Sequence, residues 1–139
     1  MNERYKVEQL FLNYQEIKAS IRDIELQVEC EHDIKGVSYD KVSTSPTNSI
    51  SSSVKNTLAH LEYLKRKKKY LEFQIQRIEN MLNTLSERDR EIMSLYYFEE
   101  RSLRDIAFKL DLNDNYISRR KTTILNNLVP FAKRYNLIN

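Results

Sequence analysis

The stretch Ser102–Leu128, SLRDIAFKLDLNDNYISRRKTTILNNL, decides the reading of this chain. Ser102 is placed to cap a short helix whose inner face is Leu103, Ile106, Ala107 and Leu110. Ala107 is small where a crossing helix needs room. Leu112 follows as an apolar plug, and Asn113 as the N-cap of a second helix, Asp114–Leu128. Ile117, Ile124, Leu125 and Leu128 mark the buried side of that helix. Its exposed start carries Asp114, Asn115, Tyr116, Ser118, Arg119, Arg120 and Lys121. Between the two helices, Asp111 stands where the turn needs a positive φ. Glycine suits that position best, and Asp tolerates it better than most other residues, at some cost.

Two helices joined in this way have the layout of a helix-turn-helix, which lays its second helix in the major groove of duplex DNA. The residues near the start of such a helix meet base edges. By side-chain chemistry Asn115 suits adenine, Arg119 suits guanine, and Ser118 serves either. Arg120, Lys121 and Tyr116 suit backbone phosphate, and Asn113 borders the same surface as the cap. The plainer alternative is an amphipathic helix whose Arg and Lys are merely solvated. The spacing of Ala107, Leu112 and Ile117 favours the motif.

Working outward, Ser86 followed three residues later by Asp89 reads as a capping box with Asp in place of the usual Glu. Glu87, Asp89 and Glu91 suit the positive end of a helix dipole. A helix is therefore predicted from Glu87 through Ile92, Leu95 and Tyr96 to Phe98. After the motif, Val129–Tyr135 is expected to pack its apolar residues back onto the module.

The N-terminal half is read as long helices. Val7, Leu10, Tyr14, Ile17, Ile21, Ile24 and Val28 alternate gaps of 3 and 4, a heptad seam, with no glycine or proline from Asn2 to Asp33. Two readings are open: the inner face of a globular bundle, or a coiled-coil hairpin or dimer. A second helix is predicted over Ser53–Leu85, with Val54, Leu58, Leu61, Leu64, Leu71, Ile75, Ile78, Leu82 and Leu85 as its seam. Between them KGVSYDKVSTSPTNSISSS, residues 35–53, has the composition of a linker, although Val37, Tyr39 and Val42 could pack on a helix.

Composition agrees with a helical protein. Among 139 residues there are one glycine and two prolines, too few turn formers for many short elements. Residues 1–34 carry four basic and eight acidic side chains, whereas 53–85 carry seven basic and three acidic. These opposed charges suggest that the two segments pair. Residues 101–139 carry eight basic against three acidic, the electrostatic footprint expected beside DNA. The cluster Lys65-Arg66-Lys67-Lys68-Lys69 has two readings. It is either a second nucleic-acid contact or a solvated face that pairs with the acidic first helix. The second is favoured, because a helix aims consecutive residues in different directions.

Enzyme and metal chemistry find no support. His32, His60 and Cys30 do not make a zinc set, and no phosphate loop or nucleophile elbow occurs. No cofactor is expected. The lone cysteine fits a reducing cytoplasm. No apolar run approaches the roughly 18 residues of a bilayer span, and MNERYKVEQ lacks a signal-peptide core.

Residues 85–128, LSERDREIMSLYYFEERSLRDIAFKL and then NDNYISRRKTTILNNL, resemble region four of bacterial sigma factors. Nearly the whole chain, with GVSYDKVSTSPTNS as its most distinctive part, resembles the phage and prophage transcriptional regulators of the ArpU and RinA type. The resemblance implies a regulator of phage late genes or of a prophage-linked operon in a Gram-positive bacterium, with its recognition residues within Asn113–Lys121. RNA polymerase is an implied partner of a sigma-like module, even one with little DNA binding of its own. The expectation is an all-α protein. Residues 1–85 form a helical hairpin or coiled coil that serves dimerisation, and 86–139 form the helix-turn-helix domain on double-stranded DNA.

Overall fold

The computed structural model describes residues 2–42 and 48–139, with side chains at 2–31 and 56–139. The described residues are helical, and none of them forms a strand. In chain order the helices are α1 (Glu3–Leu12), α2 (Tyr14–Val42), α3 (Asn48–Leu82), α4 (Glu87–Met93), α5 (Leu103–Leu110) and α6 (Asp114–Arg134). A π-helical turn, Ser94–Phe98, continues α4. The chain forms two compact units: residues 1–16 with 75–139, and residues 17–74.

The second unit is the antiparallel pairing of α2 with α3. Ile24, Leu61 and Leu64 are buried, and Ile17, Ile21 and Val28 are half-buried. Glu25 of α2 lies 3.7 Å from Lys68 of α3, and Glu31 lies 3.0 Å from His60. Higher numbers in α2 therefore meet lower numbers in α3. The heptad seam thus faces a helix of the same subunit. Within the basic cluster, Lys68 sits near the seam and pairs with Glu25 and Glu72, while its four neighbours are exposed.

Parts of the expected linker, 35–53, are helical. The backbone stays helical to Val42 and resumes at Asn48. Only 43–47, which hold Pro46, lie outside the described residues. Serines alone do not stop a helix. Val37, Tyr39, Val42 and Val54 lie outside the described side chains.

The other unit differs from expectation in three places, each for a packing reason. The first helix is broken at Asn13, whose N–H bonds to the carbonyls of Gln9 and Phe11. Phe11, rather than Leu10, enters the core with Val7 and Tyr14. The helix predicted to reach Phe98 is α-helical only to Met93. The wider π turn accommodates a crowded apolar run: Ile92, Met93, Leu95 and Tyr97 are all buried, a set too broad for one α-helical stripe. The last helix runs on past Leu128 to Arg134 despite Pro130, and it buries Ala132.

Helix α1 is an integral part of this unit. It lies antiparallel along α6, with Glu3 2.5 Å from Lys133 and Glu8 3.9 Å from Lys121. Phe11 stacks on Tyr97 with ring centroids 5.6 Å apart. Tyr14 stacks on Phe98 at 4.0 Å and donates its hydroxyl to Glu79 at 2.8 Å. Burial and that carboxylate push the Tyr14 hydroxyl up to about 12.

If α1 is integral, Phe11→Ala should cost about 3–5 kcal/mol in urea unfolding followed by far-ultraviolet circular dichroism. A loss below about 1 kcal/mol would mean that α1 merely rests on the surface.

Candidate nucleic-acid interface

The helix-turn-helix is built by caps that the sequence supplies. Ser102 Oγ accepts from the Asp105 N–H at 3.1 Å and starts α5. Asp111 ends it in the left-handed conformation, φ 56° and ψ 50°. The Leu112 N–H then returns to the Ala107 carbonyl at 2.8 Å, closing the helix end as a Schellman-type cap. Asn113 Oδ1 accepts from the Asn115 N–H at 2.8 Å and starts α6. Ile92, Leu95, Ile106, Ala107 and Ile117 form the shared core, with Leu103, Leu110, Leu112 and Tyr96 packed around it. This core fixes which side of α6 turns outward.

Along that outward side, Asn115 and Arg119 are exposed, Tyr116 is partly exposed, and Ser118 is half-buried. Arg119 Nε donates to the Asn115 carbonyl at 3.3 Å, which lays the guanidinium along the exposed ridge. Thr123 and Asn126 follow at the next helical intervals and are exposed as well. Sequence reasoning stopped at Lys121 and missed them; their spacing of four and seven from Arg119 is the signal that finds them. Asn113 has its side-chain oxygen committed to the cap.

Arg120 and Lys121 are engaged within the protein. Arg120 donates Nε and Nη2 to the two carboxylate oxygens of Asp89, at 2.8 and 2.6 Å. The Asp89 side chain is 9% exposed and that of Arg120 is 35% exposed. The Arg120 guanidinium holds the Asp89 carboxyl below its ordinary range against the opposing effect of burial, and Asp89 in turn raises Arg120. Asp89 therefore does more than close a helix cap, although Ser86 Oγ does accept from its N–H at 3.3 Å. It bolts α4 to α6.

Lys121 is only 15% exposed. Its Nζ sits 3.9 Å above the Tyr96 ring centroid and 3.9 Å from Glu8. Glu8 also accepts the Tyr97 hydroxyl at 2.6 Å, and burial together with this bond raises the Tyr97 pKa. The sequence could not reveal that Glu8 would meet a lysine more than a hundred positions away. Of the three consecutive cations, Arg119 alone is exposed; Arg120 and Lys121 are half-buried.

Among the described residues no cluster of His, Cys, Asp and Glu is arranged to hold a metal ion, and no helix is long and apolar enough to cross a membrane.

Residues 81–128, from the end of α3 through the apolar face of α6, match the sigma-70, region 4 family. No curated protein and no solved structure matches the chain. The match covers the helix-turn-helix and its preceding helix, and α1 lies outside it. Region 4 is a DNA-binding module of transcription, so residues 81–128 carry a sigma-like helix-turn-helix with a DNA-binding, transcription-related role.

Two substitutions test this geometry. Asp89→Asn should lower stability by about 1–3 kcal/mol at pH 7, towards the smaller figure because Arg120 is partly solvated. The folded carboxyl lies below its unfolded value, so the pair contributes fully at neutral pH. That contribution fades as pH falls through the carboxylate range and below. The gap between wild type and Asp89→Asn in thermal unfolding should therefore close towards pH 2; a gap independent of pH would refute the ionic account. Asp111→Gly should raise stability by about 0.5–1 kcal/mol by relieving the left-handed residue, and a loss in the same unfolding assay would show that the Asp side chain has a further structural role.

Proposed function

We propose that the protein is a sequence-specific DNA-binding transcriptional regulator that reads its operator with the first turns of α6. One observation carries the reading: Arg119 stands exposed beside Asn115 on a helix start whose neighbouring cations are already engaged by acids. The proposed interface comprises Asn113, Asn115, Tyr116, Ser118, Arg119, Arg120 and Lys121, in unequal roles. Arg119 and Asn115 read base edges. Ser118 and Tyr116 flank them, and Asn113 holds the helix start. Arg120 and Lys121 orient α6 through Asp89 and Glu8 and add positive charge near the phosphates. The likeness to ArpU- and RinA-type regulators supports phage late or prophage-linked genes as the targets, activated in the cytoplasm of a bacterial host.

A second reading, RNA polymerase as the main partner with little intrinsic DNA binding, is favoured by Phe108. This ring lies on the outer side of α5 and is 90% exposed, which suits a protein contact.

The test is selection from a random duplex library followed by anisotropy against salt. A DNA reader should enrich one motif and lose affinity with a log-log slope of about −0.9 per phosphate contacted. Arg119→Ala should relax preference at one base position and cost about 1–3 kcal/mol, while Phe108→Ala leaves DNA affinity unchanged. No enrichment, with polymerase binding that falls on Phe108→Ala, would replace the first reading by the second.

A further inference from the structure

The outer side of α3 carries a second periodic stripe that the helix-turn-helix does not use. Ala59, Tyr63, Arg66, Tyr70 and Phe73 follow one another at gaps of 4, 3, 4 and 3, and all are exposed. Tyr63 and Phe73 are about half exposed, and Tyr70 is 61% exposed. At about 100° per residue this stripe lies on the side of the helix opposite Leu61, Leu64 and Lys68, which face α2. Single exposed aromatics are ordinary surface; three on one heptad line form a seam.

We propose that this stripe is an interface between two copies of the chain, formed by antiparallel packing of α3 on α3 about a two-fold axis between Leu64 and Lys65. Size and charge complementarity both select this occupant and register. In an antiparallel pair the two stripes interleave, and the flanking positions of like type meet across the axis. With the axis between Leu64 and Lys65, Ala59 lies opposite Tyr70 of the second copy, a small residue facing a large one. Tyr63 lies opposite Arg66 of the second copy, an arrangement suited to a guanidinium on an aromatic face. On one flank Glu62 meets Lys69 of the second copy, and symmetry repeats the pair. Moving the axis to Lys68 sets Lys69 against Lys69 and Lys67 against Lys67, which like-charge repulsion disfavours. A single contact from α3 to the outer side of α2 in another copy leaves each stripe facing a different surface, whereas α3 on α3 is self-complementary and closes at two. The earlier seam residues Ile17 and Ile21 cannot serve here, because they face inward in one subunit.

This inference is independent of base reading by α6. The experiment is sedimentation equilibrium of the full chain over a concentration series, with circular dichroism as the check on folding. Wild type should move from one chain towards two. Tyr70→Glu, at an exposed position, should stay folded and remain a single chain. Glu62→Lys or Lys69→Glu alone should weaken the dimer by about tenfold, and the double exchange should restore it. A wild type that remains one chain at several hundred micromolar overturns the proposal, as does a dimer indifferent to Tyr70→Glu. Failure of the double exchange to restore affinity overturns the register. A single-chain protein whose DNA affinity falls with Tyr70→Glu makes the stripe a nucleic-acid contact instead. Arg119→Ala, read in the same DNA assay, reports separately on α6.

Discussion

The bidentate pair between Asp89 and Arg120 is the constraint on which the helix-turn-helix depends. Its carboxylate sits on α4 and its guanidinium on α6, so the pair locks the rotation of α6 that the core selects. The apolar core of Ile92, Leu95, Ile106, Ala107 and Ile117 holds the helices together, but hydrophobic contact is non-directional. Two parallel N–H···O bonds are directional. They reinforce the orientation that the core sets, holding Arg120 against α4 while Arg119 is presented to solvent. Glu8 repeats the device on the next residue, taking Lys121 from one side while Tyr96 covers it from another.

Seen in this way, the basic run of α6 is partly an internal fastening. Each acid that anchors a cation also removes positive charge from the surface facing a nucleic acid. The exposed basic surface of the module is therefore less charged than its sequence suggests. Under the proposed function, recognition rests more on the placement of a few groups, Asn115 and Arg119 foremost, than on bulk attraction.

Local signals in the sequence were legible wherever the physics is local. The caps at Ser86, Ser102 and Asn113, the left-handed turn at Asp111 and the inner faces of α5 and α6 depend on neighbours within a few residues, and each follows from residue type. The heptad seam of α2 was legible too, because burial on one side imposes its period. Long-range events were not. That Asp89 would meet Arg120, or Glu8 Lys121, depends on how the helices cross, which no local pattern encodes. The π turn at Ser94–Phe98 sets Leu95 in the helix-turn-helix core and Tyr97 against Phe11, partners that lie far apart in sequence. The extended boundaries around 35–53 reflect a weak local preference, since serine resists helix formation only mildly.

The division of the chain into residues 1–16 with 75–139, and 17–74 between them, also bears on synthesis and assembly order. The α2–α3 pairing joins helices that are neighbours in sequence and can form as soon as its own residues are available. Helix α1 precedes its partners in synthesis, yet its buried side is completed by Tyr97 and by α6, far downstream. Val7 and Phe11 must stay uncovered until then. Closure of this unit thus waits on contacts between residues far apart in sequence. While α2 to α5 are being made, the nascent chain carries the apolar face of an otherwise polar helix without its partner, an exposure that favours aggregation.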